Sequence, residues 1–103
     1  MRALVFEEPH QAAIRELDVP SIAADEVLVR SRNVGICHSD FELYEGRYII
    51  PVAYPIIPGH EWSGTVEAVG AGGPPSLVDR KGGGEGFRNC QVCDRCHTGA
   101  TKL

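Results

Sequence analysis

Pro58-Gly59-His60-Glu61-Trp62-Ser63-Gly64-Thr65-Val66-Glu67-Ala68-Val69-Gly70 is the stretch on which the reading of this chain turns. It sets a histidine beside a carboxylate at a glycine bend and then runs into an alternating segment, with Val66 and Ala68 set against Thr65 and Glu67. Pro55 and Pro58 stiffen the approach, and Gly59 lets the backbone turn where a side chain would collide. His60, a potential metal ligand, is therefore expected on a rigid corner, with a strand over Thr65 to Val69 behind it.

Working outward, a second run carries chemistry: Gly35-Ile36-Cys37-His38-Ser39-Asp40. Ser39-x-x-Glu42 has the form of a capping box and Gly46 is a stop signal, so one short helix is expected from Asp40 to Glu45. Before it, Glu26 to Val34 has the period-2 pattern of a strand with one wet face. Arg2 to Phe6 reads as a first strand, with Gln11 to Leu17 as its partner across a turn at Pro9-His10. Tyr48 to Pro58 is a proline-punctuated loop. Residues 70–86 hold seven glycines and no strand periodicity, which predicts a mobile connector.

The third run is Cys90-x2-Cys93-x2-Cys96. Three thiols at that spacing can converge on one tetrahedral ion, and zinc is the usual occupant of such a thiolate site. A fourth ligand is missing. His97 would need an awkward bend to reach the same ion, and Ala100 stands where a ferredoxin-type cluster wants a fourth cysteine. Spacing alone cannot pair Cys37 with His60. On composition, Cys37 reads equally as a buried thiol, Glu61 as a solvated charge, His38 as a polar neighbour and Asp40 as a first-turn acid.

Composition narrows the function classes. A chain of 103 residues has room for one domain with a small core, and 12 glycines with 7 prolines favour turns over long helices. The net charge of −4 and scattered basic residues give no nucleic-acid footprint. No apolar run could span a bilayer, and the four apolar residues before Glu7 fit no secretory leader, so the cytoplasm is expected. There the four cysteines are expected as thiolate ligands or free thiols. No Gly-x-Gly-x-x-Gly or Walker-type loop occurs, which argues against a nucleotide site within these residues.

Taken in order, the Gly35–Asp40 run, Pro58-Gly59-His60-Glu61-x2-Gly64-x5-Gly70 and the three-thiol run resemble the N-terminal half of a zinc-dependent alcohol dehydrogenase. This is the medium-chain dehydrogenase family, with sugar-alcohol and threonine dehydrogenases among the similar branches. The likeness covers nearly the whole chain. It implies a mainly β fold: a GroES-like, partly open β-barrel with one short helix after Cys37 and an incomplete structural-zinc lobe. The implied organisation is one domain over 1–103, with 70–86 as connector and 87–103 as that lobe.

By the same resemblance Cys37 and His60 are ligands of a catalytic zinc. Glu61 is the acid that can replace a ligand, and Asp40 the carboxylate that orients the histidine. Ser39 takes the proton of the alcohol. Cys90, Cys93 and Cys96 are three ligands of a structural zinc. A small alcohol or polyol would be the substrate and NAD(P) the hydride acceptor, held by a Rossmann domain that these residues do not include. The family's fourth structural thiol would fall just past Leu103, so the chain is expected to be a fragment, inactive alone. The alternatives are a small zinc-binding module and a free-standing GroES-like domain without catalysis.

Two departures from the family stand out. The run Lys81-Gly82-Gly83-Gly84 replaces an apolar strand, and Glu42 occupies a position where many relatives have a histidine that extends the proton relay. Ser39 carries two competing readings, helix cap and relay. The expectation is that its hydroxyl faces Cys37.

Overall fold

A computed structural model describes residues 1–84 and 90–98 of the chain. Strand β1 (Arg2–Glu8) pairs antiparallel with β2 (Gln11–Glu16), the turn being made by Pro9 and by His10 at φ 64°. Strand β3 (Val27–Gly35) pairs with β4 (Glu61–Val69), whose other edge takes β5 (Lys81–Gly83), giving the order β3-β4-β5. Helix α1 (His38–Glu45) lies between β3 and β4 in the chain, and a four-residue helix, α2 (Asp94–His97), carries part of the thiol run. The fold is mainly β, and the two sheets stay open rather than closing into a barrel.

The helix begins two residues earlier than the sequence predicts. Cys37, extended at φ −112° and ψ 164°, is the N-cap, and the Asp40 carboxylate accepts a hydrogen bond from the Cys37 N–H at 2.9 Å. An acid three residues into the helix thus closes the first turn from within. Ser39 is therefore not the cap. Gly46 does end the helix, in the left-handed region at φ 73°, with the Arg47 N–H returning to the Glu42 carbonyl at 2.8 Å. A Cβ on Gly46 would meet the Pro9 ring at 2.8 Å, because the helix end sits on the hairpin turn.

The glycine-rich segment also departs from expectation. Pro75–Leu77 forms a 3-10 turn, and Lys81–Gly83 is a strand. Its three residues are exposed, so it is held by the backbone ladder to β4 rather than by side-chain burial. The entry is pinned by the Asp79 N–H to the Val66 carbonyl (2.9 Å) and the Val66 N–H to the Arg80 carbonyl (2.9 Å). Glycines weaken a strand, but an unpaired edge next door supplies partners that periodicity cannot reveal. The part of the expected connector at 85–86 lies outside the described residues, as do 87–89 and 99–103 of the expected zinc lobe.

Among the described residues the core is small. Val5, Phe6 and Leu43 are the buried apolar side chains, and none is completely enclosed. Phe6 stacks edge-on to Tyr44 with ring centroids 5.5 Å apart, and its backbone exchanges two hydrogen bonds with Ile56 (2.8 and 2.9 Å). Those bonds fasten the proline-rich loop to β1. The Tyr54 hydroxyl donates to the Leu43 carbonyl, fixing the same loop to the helix.

Candidate metal centre

Strand register does what spacing could not. Gly35, at the end of β3, pairs with Glu61, at the start of β4. Cys37 lies just past one partner and His60 just before the other, so two residues far apart in sequence meet at one corner. Gly59 makes the bend at φ 104°, and a Cβ there would lie 2.7 Å from Val34 Cγ1. Gly35 leaves room for the neighbouring acid: its Cβ would stand 3.2 Å from Glu61 Oε2.

One ligand atom each from Cys37, His60 and Glu61 lies within 4.8 Å of the others. Cys37 is half-buried, while His60 and Glu61 are exposed. Behind them Asp40 is buried at 7 % exposure, with Oδ1 3.8 Å from His60 Nδ1. Oδ2 is occupied by the Cys37 N–H, whereas Oδ1 is buried without a hydrogen-bond partner. A buried carboxylate oxygen with no partner is costly, and His60 Nδ1, 3.8 Å away, is beyond hydrogen-bond distance but is the ring nitrogen facing it. A small approach with Nδ1 protonated would pair the oxygen and leave Nε2 with the ring's lone pair. Soft sulfur, imidazole and carboxylate at one corner fit the donor set of zinc.

The Ser39 hydroxyl donates to Cys37 Sγ at 3.5 Å, on the side of the ligand cluster. One turn along, His38 Nε2 and Glu42 Oε1 are 3.3 Å apart, an i,i+4 pair with His38 largely in solvent. Glu42 is thus engaged by a histidine from the adjacent turn, a pairing the sequence reading did not draw although both residues stood in the motif.

The second cluster is Cys90, Cys93 and Cys96, again with ligand atoms within 4.8 Å of one another. Cys93 is the N-cap of α2, and one helical turn brings Cys96 back to it, with sulfurs 3.5 Å apart. Cys90 Sγ lies 3.7 Å from Cys96 Sγ. His97 is not among the converging ligand atoms.

Backbone amides of Val92 and then Cys93, followed by the neighbouring thiols, bring the Cys90 thiol down to about 7. Cys96 is raised, chiefly by its bond with Cys93. In the metal-free chain Cys90 is therefore expected to be alkylated first, with a rate that climbs as pH rises through about 7, where its thiolate forms. Peptide mass spectrometry of iodoacetamide-treated protein reads the order. Faster labelling of Cys96 would contradict it, and bound zinc should protect all three.

The alcohol dehydrogenase GroES-like domain model matches residues 23–103. The chain belongs to that family. An alcohol dehydrogenase from Geobacillus stearothermophilus is 37% identical over 99 residues, covering 95% of this chain and 29% of the relative. D-arabinitol dehydrogenase 1 from Uromyces fabae is 36% identical over 97 residues, covering 94% and 26%. Among solved structures, the alcohol dehydrogenase RspB from Escherichia coli CFT073, complexed with NADH, superposes with a TM-score of 0.83 at 33% identity, over 96% of this chain and 28% of that one. The chain thus spans less than a third of the length of these alcohol and polyol dehydrogenases. Among the described residues no helix is long and apolar enough to cross a membrane.

Proposed function

We propose that this GroES-like domain supplies the catalytic metal centre of a zinc-dependent dehydrogenase acting on an alcohol or polyol with NAD(P). The observation that carries the reading is the convergence of Cys37, His60 and Glu61 in front of the buried Asp40 carboxylate. A metal-binding module without catalysis could rest on the three thiols and has no need of the Cys37, His60 and Glu61 cluster. Zinc, when bound there, supplies the Lewis acidity that makes an alcohol hydroxyl acidic near neutral pH.

The chain's own residues do the rest. Cys37 and His60 hold the ion, and Glu61 reaches the same point as a third donor. Asp40 fixes the imidazole through Nδ1, as partners behind metal-bound histidines generally do. Ser39 Oγ, beside Cys37, would accept a hydrogen bond from the substrate hydroxyl and relay its proton, passing the serine's own proton on to solvent as the substrate's arrives. The thiols of Cys90, Cys93 and Cys96 hold a structural zinc. NAD(P) would be held by a Rossmann domain, since these residues contain no dinucleotide fingerprint.

Cobalt titration of the metal-free chain tests the reading. A variant with Cys90, Cys93 and Cys96 all changed to Ser should keep a thiolate-to-cobalt charge-transfer band, because Cys37 remains. Absence of any such band would defeat the proposal. The 103 residues alone should oxidise no common alcohol with either nicotinamide, since binding of the acceptor is not encoded in them. Turnover above a metal-free control would overthrow that division of labour.

A further inference from the structure

Sulfur contacts in the three-thiol run have one common member. Gln91, in the left-handed region at φ 65°, bends the chain between Cys90 and the cap residue Cys93. The single turn of α2 is closed by the His97 N–H to the Cys93 carbonyl at 3.1 Å and the Thr98 N–H to the Asp94 carbonyl at 3.0 Å. It carries Cys96 back to that cap. Cys96 Sγ lies 3.5 Å from Cys93 Sγ and 3.7 Å from Cys90 Sγ, so the two closest sulfur pairs both include Cys96. Cys90 and Cys93 are exposed, whereas Cys96 is half-buried. The Cys37 cluster, by contrast, contains a single sulfur.

That arrangement divides the two tasks of thiol oxidation. An oxidant from solvent reaches an exposed sulfur, and a neighbouring sulfur already in contact closes the disulfide. Bringing sulfurs from 3.5 Å or 3.7 Å to the roughly 2.05 Å of a disulfide is a matter of side-chain rotation within one short turn. Cys-x2-Cys is also a spacing that dithiol oxidoreductases close. Whichever exposed thiol is oxidised first, Cys96 is the partner within reach.

We propose that Cys90, Cys93 and Cys96 form a peroxide-sensitive switch in which Cys96 is the resolving thiol. The thiolate of Cys90 or Cys93 attacks one oxygen of hydrogen peroxide. The O–O bond breaks, the sulfur becomes a sulfenic acid, and the departing hydroxide takes up the thiol's proton to become water. Cys96 sulfur then attacks the sulfenic sulfur, forms the S–S bond and expels a second water. Two thiols have lost two electrons and two protons, and one peroxide has become two waters. One thiol of the three remains, so oxidation and zinc binding at this cluster exclude one another. Nothing in these steps depends on alcohol oxidation at the Cys37 corner.

Unreduced tryptic mapping of the metal-free 103-residue chain, after stoichiometric hydrogen peroxide and acid blocking of the remaining thiols, decides. Trypsin cuts after Arg95, which leaves Cys90 and Cys93 on peptide 89–95, Cys96 on 96–102 and Cys37 on 33–47. A link between 89–95 and 96–102 is expected, in a monomer lighter by two hydrogens, and dithiothreitol should remove it. Peptide 33–47 should stay out of the link. Cys96→Ser should lose the link and leave a dimedone-reactive sulfenic acid on 89–95. In the zinc-loaded chain one zinc ion should leave for each disulfide formed, read with a chromogenic chelator. A disulfide contained within 89–95 would take the resolving role from Cys96. That result, links found only between chains, oxidation of the unaltered chain that stops at single-sulfur acids, or zinc retained beside the disulfide would each overturn the proposal.

Discussion

Cys37→Ser, made in the background that already lacks Cys90, Cys93 and Cys96, is expected to abolish thiolate–cobalt absorption and to cut zinc affinity about a hundredfold. A complete four-ligand zinc site is worth roughly 10–16 kcal/mol in apparent terms, so one ligand accounts for about 3 kcal/mol. Here the loss falls on a cluster in which Cys37 is the sole sulfur among three converging donors. The hydroxyl of serine keeps the shape but is a far poorer ligand at neutral pH. Asp40→Asn makes the comparison, since it leaves all three donors in place and removes the charge of the carboxylate 3.8 Å from His60 Nδ1, while the amide oxygen can still accept from the Cys37 N–H. Removing a partner of this kind typically weakens metal binding by about 10–100-fold. A calorimetric zinc titration in which Cys37→Ser binds like its parent would remove Cys37 from the site.

Phe6→Ala is expected to be the most destabilising single change in the described core. Its ring is buried at 7 % exposure against Tyr44, and its backbone holds the proline-rich loop through Ile56. Truncating a buried phenylalanine costs about 3–5 kcal/mol, against a total stability of roughly 5–15 kcal/mol for an ordinary domain. With three buried apolar side chains in the described core, this chain belongs at the lower end of that range. A fall in the unfolding midpoint on the order of 15 °C or more follows. The effect should also reach the metal corner, because the loop fastened at Ile56 leads directly into Pro58, Gly59 and His60. A midpoint unchanged within a few degrees would show that the loop and helix are held elsewhere.

Much of the fold could be read in advance because the signals were local. The Pro9-His10 turn, the strands β3 and β4 and the stop at Gly46 each depend on a few neighbouring residues, and each appears in the structure, although burial along β3 does not alternate: past Val29 every residue of the strand is exposed. Helix α1 was legible as one short helix, but its start was not. Ser39-x-x-Glu42 and Cys37-x-x-Asp40 are both capping patterns two residues apart, and the choice fell to the Asp40 carboxylate bonded to Cys37. Strand β5 was illegible because glycines carry no side-chain period. Helix α2 was illegible because four residues are too few for one.

The metal corner divides in the same way. The sequence by itself determined the donor types, the glycine bend at Gly59, the three-thiol spacing and, through the order of its motifs, the family. Only the tertiary structure decided that Cys37, His60 and Glu61 share one point. That meeting depends on the pairing of Gly35 with Glu61, and strand register is a long-range property that no local window contains. Tertiary structure also decided the roles available to Asp40 and Ser39. The carboxylate is buried with one oxygen directed to a helix amide and the other toward His60, which releases the Ser39 hydroxyl from capping and leaves it beside the Cys37 sulfur.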